Sequence, residues 1–216
     1  MPRPLALAAA SAAASAVTMG SLLLTPVPAE ASVTIPISCV AGEVVLTTDD
    51  THYELVGACG TVIVQADRST VTMSTATRLY VTGADTHVTA KPQTLVEISG
   101  ANSSVSMPSA TSLSLTGTGS EASVTGLVEH VRIEAAGASL SADRTHVLVV
   151  RGSGNIVDGG HGFRTRVIGD SNAVAHDLLD RLRVRGDSNV VTVASGRTSS
   201  KVVGTGNSVS VVAARR

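Results

Sequence analysis

The sequence predicts an all-β protein wound as a single-stranded, right-handed parallel β-helix, a β-solenoid with coils of 17–18 residues. Three observations predict it. The phrase Gly-Asp-Ser-Asn stands at residues 169–172 and again at 186–189, one instance of a register that runs through most of the chain. Aliphatic residues recur around each repeat of that register with a spacing of two, the period of a strand. Aromatic residues are scarce: no Trp, one Phe and two Tyr in 216 residues, which suits an interior too narrow to need them.

Residues 1–31 read as a secretory signal peptide. Arg3 precedes an apolar stretch from Leu5 to Leu24, and Ala29 and Ala31 form an A-x-A cleavage site. The stretch is diluted by Ala and Ser and broken by Thr18 and Gly20, which distinguishes it from a membrane anchor. No later segment reaches the ~20 continuous apolar residues of a membrane span. The expectation is therefore a secreted or cell-envelope protein with no transmembrane segment once the leader is removed.

Residues 32–60 form the expected N-terminal cap and first coil. Cys39 and Cys59 are the only cysteines, and export places them where disulfides persist. No further Cys or His lies at zinc-like spacing, so no metal is expected. The bridge closes a loop of about 20 residues, worth on the order of 3 kcal/mol by the chain-entropy argument.

Residues 61–216 carry the repeat. With Gly186 as reference, equivalent positions fall at Ala66, Gly83, Gly100, Gly117, Ala135, Gly152, Gly169 and Gly204. Two residues before each stands an aliphatic side chain, from Val64 and Val81 through Val167 and Val184 to Val202. Five residues after stand Val71, Val88, Val105, Leu140, Val157, Val174, Val191 and Val209; the Gly117 unit is expected to reach Val124 instead, through an insertion near Gly119. Gly152, Gly169, Gly186 and Gly204 are expected to turn the chain or to let neighbouring coils approach closely. Asn155, Asn172, Asn189 and Asn207 follow them by three residues and are expected to stack amide over amide, with the left-handed backbone that Asn tolerates.

A helical repeat is excluded, because each unit is too short for a helical hairpin, rich in β-branched residues and interrupted by Gly. One unit has no means of burying its own apolar face, so the units must stack. At ~4.8 Å between coils, nine or ten of them make a rod about 45 Å long.

The phrase YELVGACGTVIVQADRSTV (53–71), followed by units such as VVRGSGNIV and LRVRGDSNVV, resembles the DUF3060 family of exported actinobacterial proteins. The resemblance covers roughly residues 44–211. It implies a β-helical repeat and no assigned activity. The middle coils, with Thr86, Ser103 and Ala138 in the Asn position, depart from the pattern.

Charge is distributed unevenly. Residues 32–149 hold five Lys and Arg against eleven Asp and Glu, whereas residues 150–216 hold ten against five. In a stacked rod, this asymmetry becomes a spatial axis, acidic at one end and basic at the other.

The densest polar cluster is Asp158, His161, His176 and Asp177, with Asp180, Arg164, Arg166, Arg181 and Arg183 nearby. Parallel β-helices elsewhere carry polysaccharide lyases and hydrolases that use paired carboxylates, or a carboxylate beside Arg, on one face. That defines one reading, a carbohydrate-active enzyme using the Asp158–Arg183 region. Units held at 17–18 residues leave little chain for a cleft, and His176 falls where other coils place Met73, Ala90, Met107 or Val193. The leading expectation is consequently non-catalytic, a surface interaction or structural module for an envelope glycan or surface protein.

Other motifs are accounted for by the register. Arg185-Gly186-Asp187-Ser188 spells an adhesion tripeptide, but Gly186 belongs to the repeat. Asp170 and Asp187 share one position; Arg166 and Arg183, stacked three residues before each Gly, are candidate neutralising partners, two carboxylates are too few for Ca²⁺, and solvated turn charges are the expectation. No nucleophile elbow and no strand–helix phosphate loop occurs, so no cofactor is expected. The basic half lacks the aromatics that stack on single strands, and nucleic acid is not an expected partner.

Overall fold

The computed structural model describes residues 34–39 and 42–212. Residues 1–31, read above as a leader, and the terminal Arg215 and Arg216 lie outside the described residues. Seventeen strands follow in chain order. The first five are β1 (Thr34–Ser38), β2 (Glu43–Leu46), β3 (His52–Val56), β4 (Cys59–Val64) and β5 (Thr70–Met73). The next five are β6 (Ala76–Val81), β7 (His87–Ala90), β8 (Gln93–Ile98), β9 (Ser104–Met107) and β10 (Ala110–Leu115). Four long strands come next, β11 (Glu121–Ile133), β12 (Ser139–Arg151), β13 (Ile156–Ile168) and β14 (Ala173–Arg185). The chain closes with β15 (Val190–Ser195), β16 (Ser199–Val203) and β17 (Ser208–Val211).

All pairing is parallel and links each coil to the next, giving a β-solenoid of about ten turns. Among the described residues there is no helix. Every coil has two strand sides. The first side stacks β1, β3, β5, β7 and β9 under the leading halves of β11–β14, then β15 and β17; the second stacks β2, β4, β6, β8 and β10, the trailing halves of β11–β14, and β16. Partners are separated by one coil, as in Ile156↔Ala173↔Val190 and Arg164↔Arg181↔Ser199. The repeat already operates at the N-terminus, where Thr34 pairs with His52.

Alternation decides the interior. Along each side every second residue turns inward, and the aliphatic columns seen in the sequence are these positions: Val64, Val81, Ile98, Leu115, Ile133, Val150, Val167 and Val184 are fully buried. Each such burial is worth roughly 1.5–3 kcal/mol, so the core is a sum of many equal layers. Among the described residues the interior takes one Phe, Tyr or Trp ring, Tyr53, whose hydroxyl exchanges hydrogen bonds with the Thr48 backbone.

Two expectations about the repeat need correction. The left-handed residue is not the Asn of each turn but the residue before it. Asp50, Arg68, Asp85, Asn102, Gly119, Gly137, Gly154, Ser171, Ser188 and Gly206 all have φ between 50° and 67°, one per coil. This leaves the following side chain pointing inward, which is what a ladder needs. The two extra residues expected around Gly119 are also not there; the Gly117 unit has one extra residue, and it lies elsewhere. Val105 pairs with Ala122, so the turn near Gly119 is in register; the irregularity lies between Val124 and Leu127, at the corner between sides.

Gly186 shows why the reference position is small. Its φ is 127°, and a Cβ there would come 2.1 Å from the Gly169 carbonyl oxygen of the coil before. Coils approach most closely at this point, and any side chain would force them apart.

Candidate functional site

Beneath the turns runs a buried polar column. Asn155, Asn172 and Asn189 are fully buried, and Asn207 continues the column at the rod's end. Asn172 Oδ1 accepts from the backbone N–H of Asn155 at 3.1 Å and from its Nδ2 at 3.0 Å. Asn172 Nδ2 donates to Asn189 Oδ1 and to the Gly152 carbonyl, both at 3.0 Å. All four hydrogen-bonding positions of the amide are thus used. Hydroxyls do the same work in the N-terminal half: Ser103 Oγ accepts from the Thr86 N–H at 3.0 Å and donates to the Gly83 carbonyl at 2.7 Å. The column is therefore continuous in polarity where its chemistry changes, except at Ala138, beneath which the Ser120 hydroxyl has no partner.

The turn carboxylates are settled by backbone rather than by arginine. Asp170 Oδ1 accepts the Asp187 N–H at 2.7 Å, and Asp187 Oδ1 accepts the Thr205 N–H at 2.6 Å and its hydroxyl at 2.9 Å. These bonds to Thr205 hold the Asp187 carboxyl below the usual range. No ion pair with the candidate partners Arg166 and Arg183 forms, because those side chains leave the second side while the turn carboxylates are engaged by the next coil. The same bonding answers the Arg-Gly-Asp question. Asp187 is engaged by the next coil and Ser188 is held at φ 55°, so the tripeptide is a stacked turn and not a protruding loop.

Asp158, His161, His176 and Asp177 occupy neighbouring coils but do not face one volume. His176 turns into the core, 3% exposed, in the column of Ala142, Gly159 and Val193. Room for it comes from two glycines of the preceding coil: a Cβ on Gly159 would meet His176 Cε1 at 2.7 Å, and one on Gly162 would meet it at 3.0 Å. Its Nε2 lies 2.9 Å from the buried Thr165 hydroxyl, and its Nδ1 has no hydrogen-bond partner. Burial is the strongest influence on its pKa and lowers it, opposed by the Gly159 backbone and by Asp158 and Asp177. Asp158 is exposed on the first side, paired in register with Ala175; His161 is exposed past the corner, beside Leu178. Among the described residues no three His, Cys, Asp or Glu side chains gather in a metal-binding group.

The second side of the basic half is a different arrangement. Parallel register places Arg164 beside Arg181, Arg166 beside Arg183, and Arg183 beside Lys201. With Ser199, Val147 and Val149 among the other lining residues, these side chains line a shallow open depression of about 530 Å³. Next to it, Phe163 is stacked on His146, ring centroids 4.9 Å apart, and Arg181 lies 5.6 Å from the Phe163 centroid on the same ring. The repeat in the sequence already stacks Arg166 on Arg183; the pairing register adds Arg164 on Arg181 and extends the second column to Lys201.

The disulfide joins Cys39 to Cys59 across the first coil, with Cα atoms 5.0 Å apart. Among the described residues no helix is long and apolar enough to cross a membrane.

Fold and surface together define a loop-poor parallel β-solenoid with a buried polar ladder, a disulfide near its N-terminal end and a cationic lattice towards the other. No family model, no curated protein and no solved structure matches the chain.

Proposed function

We propose that the chain is a secreted or envelope-associated, non-catalytic interaction module that presents its flat sides to an envelope component. The observation that carries this reading is the brevity of every connection. The longest connectors between described strands, such as 47–51 and 99–103, have five residues, so nothing rises above the sheets to wall a cleft around a substrate. The leader-like N-terminus, the disulfide and the resemblance to exported DUF3060 proteins support the location.

The test is to incubate the full chain with insoluble cell-envelope material and with soluble neutral and acidic polysaccharides. Retention on the solid should be read together with release of reducing ends and of unsaturated sugars. Retention without cleavage is the expected result. Cleavage abolished by Asp158→Asn would overturn the reading and install a carbohydrate-active enzyme.

A further inference from the structure

Arg164, Arg166, Arg181, Arg183, Arg185 and Lys201 form a lattice on the second side of the rod. Neighbours in adjacent coils are separated by ~4.8 Å at the backbone, and neighbours along a strand by ~6.6 Å. Among the described residues none of the six takes part in an ion pair; the pairs that form are Arg68–Asp50, Arg132–Glu134 and Arg151–Glu134. Like charges directly opposite across paired strands are destabilising. Folding does not demand them, because the same two outward columns hold Ser112 and Ser114 in β10 and Val147 and Val149 in β12. A repulsive lattice that the fold does not require points to a ligand that neutralises it.

We infer that this face binds a linear acidic polysaccharide laid along the sheet, its acidic groups received by the arginine columns. This rests on the interaction-module reading above and specifies its ligand. Five of the six cations are Arg, whose planar fork takes carboxylate or sulfate oxygens two at a time. The face is flat and its charges recur at a spacing close to that of successive sugars, so an extended chain meets several columns at once. Ser199, in register with Arg181, adds a hydroxyl for sugar oxygens. Nucleic acid fits less well. Stacking bases need a free aromatic face, whereas the nearby Phe163 is stacked on His146 and approached by Arg181. A folded protein partner is disfavoured because the depression, though it includes Val147 and Val149, is shallow and open and offers no deep pocket to seat an anchor side chain.

The experiment measures binding of the full chain to polygalacturonate, with dextran, duplex DNA and phosphatidylglycerol vesicles as comparisons. Polygalacturonate should bind, dextran should not, and affinity should fall at least tenfold between about 50 mM and about 200 mM salt. Arg166→Ser/Arg183→Ser, which installs the residue type that β10 carries there, should lose at least tenfold while keeping its unfolding midpoint. Lys91→Ser, on a distant corner, should bind as the parent does. Absence of binding at low salt, undiminished binding by the double variant, or tighter binding to DNA or vesicles would overturn the proposal. If the double variant is retained on envelope material like the parent, this face is refuted and the module reading survives. If the parent binds polygalacturonate but is not retained, the face stands and the module reading fails.

Discussion

Asn172 donates from Nδ2 to Asn189 Oδ1 at 3.0 Å, with both side chains sealed inside the rod. Each amide also receives the backbone N–H of the coil before, so the ladder fixes the spacing between turns as well as filling space. Asn172→Ala would strand the Asn155 N–H and the Gly152 carbonyl in a dry interior. Each buried group left unpaired costs about 1–3 kcal/mol, so we expect a loss of about 3 kcal/mol by urea unfolding. Thr192→Ala, on the exposed first side, should change stability by less than about 0.5 kcal/mol.

The break in the ladder should be repairable. Ala138 supplies no oxygen, the Ser120 N–H turns instead to the Gly117 carbonyl at 3.2 Å, and the Ser120 hydroxyl has no partner. Ala138→Ser restores the acceptor that Ser69 and Ser103 provide to the Thr51 and Thr86 N–H groups. A gain of about 1 kcal/mol in unfolding free energy is expected; a loss would show that the site is packed too tightly for one more oxygen.

His176 makes the fold sensitive to acid in a defined direction. Burial lowers its folded pKa below the ordinary 6.5. The unfolded chain therefore binds this proton first as pH falls, and the stability that the neutral imidazole contributes is present above about pH 6.5 and is lost below it. His176→Val, matching Val193 in the next coil, should flatten that part of the stability profile. An unchanged slope between pH 7 and pH 5 would contradict the assignment.

Gly159 and His176 should be coupled. Gly159→Ala alone forces a methyl to within 2.7 Å of His176 Cε1 and should cost about 2 kcal/mol. Combined with His176→Val the same change should cost much less, since the column would then read Ala, Ala, Val, Val from Ala142 to Val193. A double-mutant cycle should give an interaction energy above about 1 kcal/mol.

Reduction of Cys39–Cys59 should lower stability by about 3 kcal/mol, given a sequence separation of 20 residues. Its effect on hydrogen exchange should be local. Amides of β1–β4 should lose protection while those of β12–β14 keep theirs, because each coil contacts only its neighbours.

Much of this was legible before any coordinates. The inward columns could be read from aliphatic spacing, since a buried strand position has a chemical signature. The ladder was visible where it is made of Asn and unnoticed where Thr51, Ser69 and Ser120 take over, because hydroxyl residues are equally at home in exposed turns. The left-handed column was only partly legible: Gly, Asp and Asn fill seven of the ten places, whereas Arg68, Ser171 and Ser188 share the backbone angle without that chemistry. The corner bulge at Thr125 and Gly126 escaped because corners carry no aliphatic marker. Of the polar cluster, His176 was identifiable as interior by its column and the stacking of Arg166 on Arg183 by the repeat, but the inclusion of Lys201 needed the pairing register.

The coils are stacked in chain order, so the described chain runs from one end of the rod to the other. A pull between those ends peels turns away one at a time instead of shearing the whole stack. Each released turn adds about 60 Å of slack, the extended length of 17 residues. Under load the molecule would lengthen in nearly equal steps, the first shortened where Cys39 and Cys59 clamp a turn. A tether built this way yields gradually, dissipating work at every step while the remaining turns stay intact.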